Sequence, residues 1–486
     1  MIGNYKTLLF ITFLISTISV HAQWTQIGQE IDGEAIDDES GQSVSISSDG
    51  SVVAIGSPFN SLSYVEGGHV RMFKYNSGLW IQIGEDIDGE GAWDHSGGAI
   101  SLSSDGSIVA IGAKDNDGNG LYSGHVRIFK NESNSWIQIG EDINGVDEHY
   151  NCGHSVSLNS DGSIVAIASS GNYGYPTRVF ENIEGNWIQL GNDILGAEIE
   201  WVPVRNVCIS ADGSVVAVGY PHAIYIYEYN SSGWTQLGDP ILKHVWGHTG
   251  RSVSLSSDGM LVAFGGPSDV PQYDHDGIVR IYKYNSGSWI QKGENIAGEP
   301  NHDSFGLSVS LSADGNIVAI GAPQFYQSYE LNAGYVKIME YLSSEWIQVE
   351  EDIIGETDGD NCGWSVSLNS DGTSVAVGSP KHDIGSSGSY EQGHVRVFQN
   401  TAQHIKSYLN YSIKIFPNPA SEMTTVKSPK TEIKRVVIQD ITGRIIANKE
   451  INEKEYSVDV SKFEQGVYLI NIEIEKAIFT RKIIKK

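Results

Sequence analysis

The chain is poor in basic residues, in cysteine and in helix signals, and each shortage removes a class of function. Of 486 residues, 31 are Lys or Arg against 60 Asp or Glu, a formal charge of −29. Nucleic-acid binding needs a clustered basic surface, so no nucleic-acid partner is expected. Only three cysteines occur, Cys152, Cys208 and Cys362. Cys152 and Cys362 share one position in two distant repeats, which argues against a disulfide framework and for small buried side chains. No apolar run reaches the roughly 20 residues of a spanning helix, so no transmembrane anchor is expected. There is no Gly-x-Ser-x-Gly elbow, no phosphate loop and no Cys/His pair at metal-ligand spacing. No catalytic residue is nominated.

The first residues read as a secretory signal. Lys6 gives a positive start, Thr7–Ser19 is mostly apolar, and Val20-His21-Ala22 suits cleavage between Ala22 and Gln23. Charge then divides the remainder. Residues 23–404 hold 15 Lys or Arg and 50 Asp or Glu, a balance of −35, whereas residues 405–486 hold 15 and 10, a balance of +5. Such a shift marks two domains.

The long first part repeats one phrase, Ser-Val-Ser-Leu-Ser-x-Asp-Gly-Ser-x-Val-Ala-Ile-Gly. Its Asp-Gly pairs fall at Asp49, Asp105, Asp161, Asp212, Asp258, Asp314 and Asp371, spaced by 56, 56, 51, 46, 56 and 57 residues. Strand and turn signals at that period indicate propeller blades of four strands. Asp-Gly supplies a tight hairpin between the first two strands. A second phrase, Trp-x-Gln-x-Gly, opens the fourth strand and starts at Trp24, Trp80, Trp136, Trp187, Trp234, Trp289 and Trp346, the last reading Trp-Ile-Gln-Val-Glu. Trp24 precedes the first core phrase, and no Trp phrase follows the last. The expected fold is therefore an all-β, seven-bladed β-propeller whose N-terminal strand closes the last blade, hiding sheet edges. The fixed place of the Trp residues argues for packing between blades rather than a carbohydrate platform.

Antiparallel blades put the tight turns on one face. The other face receives the long loops 57–67, 113–123, 267–276, 323–333 and 380–392, and links rich in acid. These links carry Glu30, Asp32, Glu34, Asp37, Asp38 and Glu39, then Glu85, Asp86, Asp88, Glu90 and Asp94, then Glu350, Glu351, Asp352, Glu356, Asp358 and Asp360. Loops on a rigid ring are where binding usually resides. Two stretches offer partial calcium ligand sets, Asp115 with Asp117 and Asp274 with Asp276, but neither has the full spacing of a calcium loop. His69, His125 and His394 recur at one strand position and read as repeat structure. Copies three and four depart from the pattern, with Val204 where other copies have Gly. No cofactor is expected beyond these calcium candidates.

Residues 23–400 resemble the integrin-alpha-type, FG-GAP-like propeller repeats of secreted bacterial proteins. Phe305-Gly306, Ser308–Ser312 and Gly321-Ala322-Pro323 form the closest copy. Family blades often bind calcium between strands one and two, whereas here Ser-x-Asp-Gly is too short to surround an ion. The C-terminal stretch carries Phe416-Pro417-Asn418-Pro419, then Gly443, then Gly466 and Tyr468, and ends in a basic run with Lys485. It resembles the type A C-terminal sorting domain of type IX secretion cargo in Bacteroidetes. The resemblance implies the type IX secretion machinery as a partner and a secreted or outer-membrane-surface location. About seven short alternating strands fit a small Ig-like β-sandwich.

The expected plan is a signal peptide at 1–22, a propeller at 23–400, a linker at 401–410 and the sorting domain at 411–486. The expected function is a monomeric, non-enzymatic propeller for adhesion or binding of an extracellular protein or glycan. The rival is a secreted polysaccharide-acting enzyme with carboxylates on the irregular face.

Overall fold

A computed structural model describes residues 24–171, 176–195, 204–242, 249–267, 277–299, 304–323, 333–383, 391–400, 414–428, 432–440, 444–474 and 477–486. Ala22, Gln23, Asp274, Asp276, Gly443 and the linker at 401–410 lie outside the described residues. The described chain is all-β, built from multiple antiparallel sheets. It divides into two compact units, one spanning Trp24–Asn400 and the other including the C-terminal strands. Among the described residues no helix is long and apolar enough to cross a membrane.

The larger unit holds seven sheets, one per copy of the core phrase. In copy one the strands are Ser43–Ile46, Val52–Ser57, His69–Asn76 and Leu79–Gln82. The second strand is buried along its whole length, as its apolar sequence requires. The sequence predicts four strands, but the outermost is split. A two-residue strand, Ile87–Asp88, returns to the third strand and pairs Ile87 with Val70. The last sheet takes its outer strand from the other end of the unit. Trp24–Gln26 pairs antiparallel with His394–Asn400, matching Thr25 to Gln399.

The repeated residues supply the bonds between sheets. Ser48 donates its backbone N–H to the Ser104 carbonyl, and the series continues through Ser160, Ala211, Ser257, Ala313 and Ser370. Ser370 then donates to Ser48 at 3.1 Å, so seven backbone bonds form a closed circuit. A second circuit runs through side chains. Ser45 Oγ accepts the Leu102 N–H at 3.0 Å, and Ser101, Ser157, Ser254 and Ser310 repeat the contact one sheet further on. Ser367 accepts from Ile46 at 3.1 Å. In copy four the acceptor is Cys208 Sγ, 3.4 Å from the Leu255 N–H. These serines satisfy amides that a free sheet edge would leave open. The third circuit belongs to tryptophan. Trp80 Nε1 donates to the Ile27 carbonyl at 2.8 Å, five further Trp residues do the same, and Trp24 donates to Val349 at 3.3 Å.

Within each hairpin, Asp49 Oδ1 accepts from Ser47 Oγ at 2.8 Å and from the Ser51 N–H at 2.9 Å. Gly50 takes a φ of 74°, which only glycine adopts without strain. The glycine that ends the phrase has a different cause. A Cβ at Gly56 would lie 2.1 Å from the Gly97 carbonyl oxygen of the next copy. At the seam of copies three and four, Ala168 and Val204 stand where other seams have glycine, and both are buried in one apolar cluster.

In the C-terminal unit, Lys414–Phe416, Met423–Lys427 and Glu455–Asp459 form one sheet. Ile445–Glu453, Ile433–Asp440, Gly466–Ile474 and Ala477–Lys485 form another. Val426 and Val458 of the first share one buried cluster with Ile438, Ile470 and Ile483 of the second.

Candidate functional site

The acid-rich links are built largely from partners inside the fold. Asp38 is 1% exposed, and its Oδ2 accepts the N–H groups of Glu34 and Ala35 while Asn60 donates to Oδ1. Asp94 and Asp360 fold their links in the same way. The Gln of Trp-x-Gln-x-Gly holds a second acid, as Gln138 holds Asp142 at 2.8 Å and Gln348 holds Asp352 at 2.8 Å. The Arg of Gly-His-Val-Arg pairs with a third. Arg71, Arg127 and Arg396 lie 3.5, 3.4 and 3.3 Å from Glu34, Glu90 and Glu356. Much of the negative charge is therefore structural.

The repeated histidines sit among these acids. Glu34, His69 and Asp86 offer three donor atoms within 4.8 Å, as do Glu90, His125 and Asp142, and two further groups share His394. In three of the four groups an arginine is paired to the glutamate, Arg71 to Glu34, Arg127 to Glu90 and Arg396 to Glu356, so a cation is already present there. His125 is held neutral, its pKa pushed down to about 4 by burial and then by Arg127. His394 falls to about 3 by burial, His382 and Arg396.

The calcium candidates that can be placed have other partners. Asp115 pairs with Lys114 and, at 2.8 Å, with His95 Nδ1. Its carboxyl is held below the usual range: burial raises it, but hydrogen bonds from His95 and Lys114 outweigh that. Asp117 Oδ1 accepts the Tyr122 N–H at 2.7 Å, closing a turn. Neither belongs to a cluster of three close donors among the described residues. The cysteines are free thiols. Cys152 and Cys362 are fully buried, each 3.7 to 3.8 Å from an arginine Nη2 of the third strand.

What the long loops and links expose is apolar as well as acidic. Leu62, Tyr64 and Val65 of the first long loop stand at 64, 48 and 54% exposure, beside Trp93 at 53%, whose N–H donates to the Val65 carbonyl. Leu121 and Tyr122 are exposed on the next loop. Exposed Ile81, Ile137, Ile188, Ile290 and Ile347 differ in kind, because they fill one repeated outer-strand position. Val65 and Leu121 share one position, three residues before Gly68 and Gly124, whereas Leu62, Tyr64 and Trp93 have no apolar counterpart in the next copy.

The starts of all seven first strands line a cavity of about 670 Å³. Its rim includes His154, Arg205, Arg251, Leu307 and Trp364, with Lys114 alongside. Sequence reading missed these residues. It marked Val204 as divergent and stopped one residue short of Arg205. The available signal was the residue between the shared Gly and the shared Ser, which differs from copy to copy.

In the C-terminal unit the sorting-motif residues hold one edge together. Asn418 Nδ2 donates to the Lys482 carbonyl at 2.7 Å, and its Oδ1 accepts the Ile484 N–H at 2.9 Å. Pro417 accepts from Thr424 Oγ1, and Phe416 pairs with Thr425. Pro419 follows Asn418 through a cis peptide bond. Tyr468 is buried and donates its hydroxyl to the Glu464 carbonyl at 2.9 Å. Gly466 and Lys485 are backbone partners at the end of the last hairpin.

Residues 414–486 match the family model of the secretion system C-terminal sorting domain. That domain marks proteins exported by type IX secretion to the cell surface or the extracellular space, and it implies contact with the secretion machinery. No curated protein matches the chain.

Proposed function

We propose that residues 23–400 form a seven-bladed, FG-GAP-like propeller that binds an extracellular ligand without turning it over, after cleavage of residues 1–22. The closed hydrogen-bond circuits support the ring reading, and the pairing of Trp24–Gln26 with the last sheet supports closure by the mature N-terminus. The observation that carries the binding reading is the group of apolar residues Leu62, Tyr64, Val65 and Trp93 exposed on the loop face, of which Leu62, Tyr64 and Trp93 have no apolar counterpart in the next copy. Exposed apolar groups rimmed by polar ones mark interaction sites, and aromatic residues anchor many interfaces. Many of the acids in the links are held by Arg, Gln and backbone partners, as structural groups are. The C-terminal unit acts as the address and residues 401–410 as the linker.

A glycan and surface-protein binding screen with product analysis tests the reading. The expected result is saturable binding, weakened by Trp93→Ala, with no product formed. Turnover that vanishes when one carboxylate pair is changed would establish the enzyme instead.

A further inference from the structure

Seven residues occupy one position of the repeat, Gln42, Gly98, His154, Arg205, Arg251, Leu307 and Trp364; six stand directly before a first strand, and His154 lies within the strand Cys152–Leu158. Both flanks of this position are largely shared, because a Gly and a Ser make the seam between sheets. The position itself varies, and its chemistry is sorted around the cavity rim. Copies three, four and five contribute His154, Arg205 and Arg251. Copies six and seven contribute Leu307 and Trp364.

We propose that this rim binds an acidic saccharide, with its carboxylate or sulfate held by Arg205 and Arg251 and its ring laid against Leu307 and Trp364. The inference rests on the binding reading above and names a ligand class for it.

Four observations support it. Residues 23–404 carry a balance of −35, yet adjacent cationic groups meet at this one cavity. Among the described residues Arg205 makes no ion pair, although each Arg of Gly-His-Val-Arg has a glutamate. A bound carboxylate or sulfate would give the Arg205 guanidinium a charged, bidentate partner. His154 Nδ1 is buried with no hydrogen-bond partner among the described residues. The remaining wall suits a polyhydroxylated guest. Ser43, Ser308 and Ser365 already donate to backbone carbonyls, so their oxygens remain acceptors, and Gln42 and Asn206 add amides. The volume of about 670 Å³ lies within the range of small-ligand sites.

The test is calorimetric titration of the full chain with oligogalacturonate, a chondroitin sulfate oligosaccharide, neutral dextran and poly-glutamate. The expected result is binding of an acidic oligosaccharide that Arg205→Gln/Arg251→Gln weakens at least about tenfold. Lys130→Gln, at a half-exposed site outside the cavity, should leave that binding unchanged. If the double variant fails to fold, Gln42→Glu replaces it, setting a carboxylate on the same rim with the same expected weakening. Dextran binding that ignores both rim variants would overturn this inference while leaving the binding reading intact. Binding of poly-glutamate alone would overturn it in favour of an acidic peptide. Turnover of any glycan lost on changing a carboxylate pair would overturn both readings.

Discussion

The two ends of the first strands differ in what they share. At the hairpin end, Ser-x-Asp-Gly recurs in nearly every copy, and a closed circuit of backbone bonds runs from Ser48 through Ser370. At the other end, one position holds Gln, Gly, His, Arg, Arg, Leu and Trp in turn. A residue common to all copies meets a demand that every sheet makes, such as a turn, a seam or a satisfied amide. A residue that changes from copy to copy meets a demand made once. The same rule separates the exposed outer-strand isoleucines from the exposed Trp93.

The largest effect should come from the shared framework. Trp24 is buried in a cluster with residues of copies six and seven, and its Nε1 reaches Val349. Trp24→Ala should cost about 3–5 kcal/mol, read as a lower urea midpoint. A loss below about 1 kcal/mol would mean that this strand adds little to the last sheet.

Acid should separate the two ends. His154 lies at the variable end, its pKa lowered to about 4 by burial and then by Arg251, Lys114 and Arg205. The unfolded chain protonates near 6.5 while the folded site resists, so this contribution is complete above 6.5 and lost as pH falls toward 4. Buried His125 and His394 act in the same direction, whereas His95 and His382, raised chiefly by the hydrogen bonds they donate to Asp115 and Asp360, act in the opposite one. The hairpin aspartates fail later. Burial raises Asp105 and Asp212, but serine and backbone hydrogen bonds outweigh it and hold them below 3.8. Their contribution is present above 3.8 and lost as pH falls further. Urea midpoints measured from pH 7 to 3 should fall in two stages, with His154→Gln reducing the first and leaving the second unchanged. An unchanged first stage in that variant would place the early loss elsewhere.

The smallest effect should come from Cys208, which stands in the serine circuit. Cys208→Ser restores the common acceptor and should shift stability by no more than about 0.5 kcal/mol. A large loss would show that the thiol packs in a way a hydroxyl cannot.

Much of the frame was legible because its causes are local. Asp-Gly marks hairpins, Val-Ala-Ile-Gly marks a strand buried on both faces, and the early Trp24 phrase pointed to the strand that pairs with His394–Asn400. The site was less legible because its contacts span copies. Nothing near Glu34 announces Arg71, 37 residues on, so the links read as an open acidic surface when part of their charge is internally paired. Arg205 and Arg251 are 46 residues apart and become neighbours only when adjacent sheets meet. The role of the serines was likewise hidden. Their alternation along the strand shows only a small polar face, whereas their hydroxyls bond the next sheet.

The central claim is that the shared end carries stability and the variable end carries the ligand. The most direct test is the melting temperature of the full chain, Asp105→Ala and Arg205→Gln/Arg251→Gln, each with and without oligogalacturonate. Asp105→Ala should melt about 1 °C or more lower, as expected for a loss of about 1 kcal/mol or more in a unit of this size, yet keep the rise caused by the ligand. The arginine variant should melt near the parent and lose that rise. A ligand-induced rise that survives in the arginine variant, or vanishes in Asp105→Ala, would contradict the account.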